Sequence, residues 1–196
     1  TLDRLSREGV RFARAFAPAP ITLSAHASLL TGRYPPGHGA RDNGMRVSPT
    51  VPTLATELHA RGFATAAFVA AFPLDHQFGL NRGFDVYGDR MPRGADGRLA
   101  NERPAPAVVD DAIGWLNSLR TAPVAPGTSA PSTAPVAPGT SQPFFLWVHL
   151  FEPHAPYGAP AASGPVLDRY DEDIATADRE VGRLLAALGS RRGATL

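Results

Sequence analysis

Thr22 stands two residues after Pro20, at the head of the small and apolar run Leu23 to Leu30. A hydroxyl at the mouth of a helix faces the first free backbone N–H groups and the positive end of the helix dipole, where an oxyanion ester can dock. The same position suits a plain N-cap, a role open to Thr22 and to Ser24. His26 lies one turn into that helix, placed either to approach a leaving-group or nonbridging oxygen or to hydrogen-bond its neighbours. His38 sits in a Pro-Gly loop and Asn43 in the turn Asp42-Asn43-Gly44, both open to structural readings. Far along the chain, His149 closes an apolar run on the same strand face as Phe145 and Trp147, which suits a core histidine as well as a ligand. His154, just beyond the strand, is the better oxyanion contact. Glu152, Asp171 and Asp173 could bind a cation, although a helix start explains the last two by dipole compensation.

These side chains need elements to hold them. Leu2, Leu5 and Val10 suggest a short helix closed by Gly9 and followed by an extended Val10 to Phe16. A helix is expected from about Ser24, carrying Ala27, Leu29 and Leu30, stopped by Gly32 and the prolines Pro35 and Pro36. A second runs from Thr53 to Ala60 with Gly62 behind it, and Phe63 to Ala71 then reads as a buried strand. Ala107 to Leu119 has a helical period, and Phe144 to Leu150 is bulky and continuous enough for a fully buried strand. Arg169 to Leu188 is the last helix, and Arg191 to Leu196 looks like the approach to a further strand. Helices alternating with apolar strands predict an α/β fold.

The nine residues TAPVAPGTS occur twice, at 121–129 and 133–141. This Pro, Ala and Thr-rich segment, 121–142, has little to bury and is expected to be a disordered surface insertion without chemistry. At 196 residues the chain is long enough for one domain with a substantial core. A formal net charge of +1, with no basic stripe, argues against a nucleic-acid partner. The absence of cysteine excludes disulfides, thiolate metal sites and a cysteine nucleophile. No apolar run approaches the roughly 20 residues that span a bilayer.

The stretch ITLSAHASLLTGRYPPGHGARDNG, Ile21 to Gly44, resembles the nucleophile segment of sulfatase-like hydrolases of the alkaline phosphatase superfamily. Alignment on Leu29, Leu30, Thr31 and Gly32 puts Thr22 at the nucleophile and His26 at the family's arginine, with Ser24 where a proline would stand. The phosphodiesterase branch is similar in having a threonine nucleophile, a histidine four residues on, then T-G-x-Y-P and His-Gly, matched by Thr22, His26, Thr31 to Pro35, His38 and Gly39. PFFLWVHLFEPHAPY, Pro143 to Tyr157, resembles the family strand that ends in a substrate-binding P-H-x-P element. The helix reading YDEDIATADREVGRLLAAL is similar to the one that packs on the family's sheet.

The resemblance implies an alkaline-phosphatase-like mixed sheet flanked by helices, here a partial domain over 1–196 that lacks its first and last core strands. It implies Thr22 and His26 as catalytic residues, with His154, His149 and Asn43 binding substrate. It also implies a divalent metal, Ca, Zn, Mn or Mg, with Thr22 as a ligand and the remaining ligands outside this chain. A metal would lower the hydroxyl's pKa and neutralise the ester's charge. The substrate would be a small-molecule, glycan or lipid ester of sulfate, phosphate or phosphonate, and relatives commonly work outside the cytoplasm or anchored to a membrane. Without its other ligands the piece is expected to be inactive by itself. A phosphoryl-group transferase of the same superfamily and a degenerate anion-binding domain are the alternatives. The family's basic residues after the next strand are unmatched, because Phe68 to Phe72 reads FVAAF.

Overall fold

The computed structural model describes residues 1–94, 96–97, 99–121, 142–158, 163–189 and 191. Of the insertion expected at 121–142, residues 122–141 lie outside the described residues, and Thr121 belongs to a helix; of the strand approach expected over 191–196, residues 192–196 lie outside them. In chain order the elements are α1 (Leu2–Glu8), α2 (Thr22–Thr31), α3 (Pro35–His38), α4 (Leu54–Ala60), β1 (Ala64–Val69), β2 (Val86–Gly88), α5 (Ala105–Thr121), β3 (Phe144–His149) and α6 (Val166–Leu188). Two 3₁₀ turns, Phe72–Leu74 and His76–Phe78, lie between β1 and β2.

The described strands form one parallel sheet in the order β2-β1-β3. Parallel strands need crossover connections: the segment with the two 3₁₀ turns joins the neighbours β1 and β2, and α5 carries the chain from β2 past β1 to β3. Every residue of β1 is buried, as its apolar run predicts for a central strand. β3 departs from expectation: it is half-buried throughout, because as an edge strand of the described sheet it has a neighbour on one side only. The segment expected to extend from Val10 to Phe16 joins no ladder and is exposed.

Two cores sandwich the sheet, and strand alternation decides which residue joins which. On one face Val69 and Ala71 pack with Leu23, Ala27 and Leu30 of α2 and with Leu74 and Phe78, against Phe145 and Trp147 of β3. On the other face Ala66, Phe68 and Ala70 pack with Val108 and Ala112 of α5, against Leu146 and Val148 of β3 and Leu184 of α6. Leu29, expected on the apolar face of α2, is 70% exposed, whereas Leu23 is fully buried. The helix begins at Thr22 rather than near Ser24, so Leu23 is part of it and shares its buried face with Ala27 and Leu30.

Local chemistry explains the boundaries. Thr53 caps α4 through a capping box with Thr56. Gly32 ends α2 in the left-handed conformation, φ 65°. β2 is held in register by Thr65, whose Oγ1 donates to the Gly83 carbonyl at 2.8 Å and whose N–H donates to Asp85 Oδ2 at 2.8 Å.

Candidate active site

The carboxyl ends of parallel strands share one edge of the sheet, where open α/β folds bind ligands. His149 is the last residue of β3, paired in register with Val69 at the end of β1. The side of the sheet that carries Phe145 and Trp147 meets α2, so His149 emerges beside that helix. Its ring lies edge-on to His26 with centroids 4.8 Å apart, and His26 also lies 5.8 Å from Trp147. Thr22, His26 and His149 are thus gathered by one helix and one strand end.

Hydrogen bonding fixes the imidazole protons. The Thr22 carbonyl, which can only accept, lies 2.7 Å from His26 Nδ1, so that nitrogen carries the proton and Nε2 keeps its lone pair. The Ala70 N–H, which can only donate, lies 3.4 Å from His149 Nδ1, leaving the proton on Nε2. Burial lowers the His26 pKa, opposed by its bond to Thr22. Burial, with the neighbouring His26, lowers that of His149 to about 4. Both rings are neutral at pH 7, one offering an acceptor and the other a donor.

At the N-terminus of α2, Asn43 Oδ1 accepts the Leu23 N–H at 3.0 Å. Expected as a substrate contact, Asn43 serves here as a tertiary cap that ties the Asp42–Gly44 turn to the nucleophile helix. Among the described residues the N–H groups of Thr22 and Ser24 have no acceptor and the Thr22 hydroxyl has no partner. Ser24 Oγ is buried without a partner there too. His38 is fully buried, its Nε2 3.0 Å from Ser28 Oγ and its Nδ1 accepting the Ala40 N–H at 3.2 Å, so it fastens α3 to α2.

His154 is exposed, its Nδ1 donates to the Ala155 carbonyl at 2.7 Å, and its ring lies tilted by 35° against Phe151 with centroids 4.2 Å apart. None of its described contacts is to His26 or His149. Glu152 Oε1 accepts the Ala105 N–H at 2.8 Å and so caps α5, while Asp173 Oδ2 accepts the Gly158 N–H at 3.1 Å. These carboxylates brace the loop that carries His154.

A metal at Thr22 needs a set of donors, and among the described residues none forms there. Among the described residues, the one group of three His, Cys, Asp or Glu side chains with converging ligand atoms is Asp75, His76 and Asp89. Sequence reasoning passed over it, because Asp89 is 13 residues from His76 and only the return of β2 beside β1 unites them.

Comparison with known proteins agrees with this architecture. The phosphonate monoester hydrolase of Agrobacterium radiobacter superposes with a TM-score of 0.65 at 17% identity, covering 96% of this chain and 54% of that one. A Bacteroides thetaiotaomicron structure, from work on the metabolism of multiple glycosaminoglycans, gives 0.65 at 16% identity, covering 96% and 50%. A protein in complex with its substrate D-glucosamine-2-N,6-O-disulfate gives 0.64 at 14% identity, covering 96% and 56%. At such identities these likenesses carry the fold. The steryl-sulfatase of Mus musculus is 40% identical over 76 residues, 33% of this chain and 12% of that protein. The chain spans about half the length of the solved structures it matches. Since the sequence model of the sulfatase family matches residues 1–195, nearly the whole chain, this protein belongs to the sulfatase family.

Proposed function

We propose that this chain carries the nucleophile and the histidine pair of a hydrolase acting on sulfate, phosphate or phosphonate esters, with Thr22 as nucleophile. What supports the reading is the meeting of α2 and β3: Thr22 and His26 are one turn apart on a helix N-terminus, and His149 closes on the same helix. The family model and the neighbouring sulfatase and phosphonate monoester hydrolase folds support the reaction class.

In this reading the lone pair of His26 Nε2 takes the proton of the Thr22 hydroxyl, whose oxygen forms a bond to sulfur or phosphorus. The bond from that centre to the ester's alcohol oxygen breaks, and the departing alkoxide takes a proton from solvent. His149 Nε2–H and the unpaired first-turn N–H groups of α2 donate to the nonbridging oxygens. Water then attacks the threonine ester, losing a proton to solvent, and the Thr22 oxygen recovers its proton from His26. No donor set for a metal gathers at Thr22 among the described residues, and the isolated chain is proposed to lack sustained turnover.

Incubating the native protein with 4-nitrophenyl sulfate and with a 4-nitrophenyl phosphonate, followed by peptide mass spectrometry, tests the covalent step. A sulfo or phosphono group on Thr22 is expected, and Thr22→Ala abolishes the adduct. His26→Ala slows adduct formation by about 10²–10⁴-fold. An adduct that survives Thr22→Ala assigns the nucleophile elsewhere. A protein that binds the anion and forms no adduct at all is the degenerate binding domain.

A further inference from the structure

The loop leaving β1 and the residue following β2 bring three metal-ligating side chains together at the carboxyl edge of the sheet. Asp75, His76 and Asp89 each place one ligand atom within 4.8 Å of the others. His76 Nδ1 lies 2.7 Å from Asp89 Oδ2 and 3.4 Å from Asp75 Oδ1. Donors bound at about 2.0–2.2 Å around one tetrahedral ion stand roughly 3.3–3.6 Å apart, so the set needs only small shifts to enclose one.

The fold holds the three groups in place independently of any ion. Asp75 Oδ1 accepts the Gln77 N–H at 2.9 Å, which seats it at the head of the His76–Phe78 turn. Asp89 Oδ2 accepts the His76 backbone N–H at 2.6 Å, which pins that turn to the end of β2. The Tyr87 hydroxyl donates to the Leu74 carbonyl at 2.7 Å and fastens the same two segments again. Asp89 is 8% exposed, a carboxylate kept from bulk water, whereas the His76 side chain is 63% exposed and leaves an ion a path from solvent.

We propose that Asp75, His76 and Asp89 form a binding site for one divalent ion of the zinc class, clamping the loop after β1 to the end of β2. One imidazole nitrogen and two carboxylate oxygens make a borderline donor set, whereas magnesium and calcium prefer oxygen-only sites with more ligands. In the bound state His76 offers the Nδ1 lone pair as the neutral Nε2–H tautomer, any proton on Nδ1 leaving to solvent, and water takes the fourth position. β1 separates β2 from β3, which puts the site about 10 Å across the edge from His149 at the usual strand spacing. The clamp shares no residue with Thr22, His26 and His149.

Titration of the purified chain with Co²⁺ and Zn²⁺ at neutral pH tests this. One equivalent is expected to bind, with d–d absorption of tetrahedral Co²⁺ and a raised melting temperature with Zn²⁺. His76→Ala, at an exposed side chain, and Asp75→Asn each weaken binding at least ~100-fold, more than the loss of a mere supporting partner costs. His149→Ala leaves binding intact. The proposal is overturned by absence of saturable binding or by undiminished binding in His76→Ala. Loss in His149→Ala would place the ion on the His26–His149 pair instead, and equal affinity for Mg²⁺ or Ca²⁺ would refute the donor assignment.

Discussion

His26 and His149 stay neutral because the protein withholds water from both, and each is then held in one tautomer by a backbone group. For His149 the consequence is a pH-dependent stability with a defined sign. Its folded pKa, about 4, lies below the unfolded value of 6.5, so between those limits the unfolded chain takes up a proton that the folded chain refuses. Stability is full above pH 6.5 and is lost as pH falls toward 4, with His26, also lowered, adding in the same direction. One proton contributes up to about 1.4 kcal/mol per pH unit in that window. Melting curves at constant ionic strength should show this decline, and His149→Gln should flatten it; an unchanged slope assigns the acid sensitivity to other groups. Asn43 makes a separate contribution through its bond to the Leu23 N–H. Asn43→Ala should cost about 1 kcal/mol in denaturant unfolding, while Asn43→Asp, which keeps an acceptor at the positive end of α2, should restore most of it. An Asn43→Ala protein as stable as the parent would show that the cap contributes nothing.

Elements differ in how firmly their neighbours hold them. β1 is paired on both sides and buried on both faces, whereas β3 is paired only with β1 in the described sheet. Amide exchange should therefore be slowest in Ala64–Val69, and faster at those β3 amides that do not point toward β1. Uniformly slow exchange along Phe144–His149 would mean that another segment covers that edge. The contact between α4 and the loop before β2 is tighter still. Gly83 has φ +84°, and a Cβ placed there would come within 2.2 Å of the Thr56 backbone nitrogen. Gly83→Ala should destabilise the protein by at least about 2 kcal/mol, from left-handed strain joined to a backbone clash, read as a lowered melting temperature. A melting temperature within error of the parent would mean that α4 can move away freely. β2 itself has only three residues and no period to detect, and sequence alone missed it. It exists because Thr65, Gly83 and Asp85 lock the returning chain against β1.

For the whole molecule, the decisive question is whether the described residues suffice for the chemistry. The expected outcome is no sustained release of 4-nitrophenol from sulfate or phosphonate esters by the isolated chain, with Ca²⁺, Mg²⁺, Mn²⁺ or Zn²⁺ added; steady turnover would refute it. The reason is that no donor set gathers at Thr22 among the described residues, and a neutral hydroxyl by itself is a weak nucleophile. No described helix is long and apolar enough to cross a membrane. The sequence by itself determined the α/β class, the helix behind Thr22 though not its first residue, the buried strand β1 and the family resemblance. These follow from local signals: a 3.6-residue period, a continuous apolar run and a contiguous motif. The tertiary structure alone decided which of the expected site residues meet. His26 and His149 are 123 positions apart and come within ring contact only because β3 pairs with β1 beneath α2. The same packing turned Asn43 into a cap, buried His38 against Ser28, left His154 on Phe151, and joined Asp75 and His76 to Asp89. Period and motif report what a residue's near neighbours favour, whereas pairing between distant strands is fixed by burial of the whole sheet.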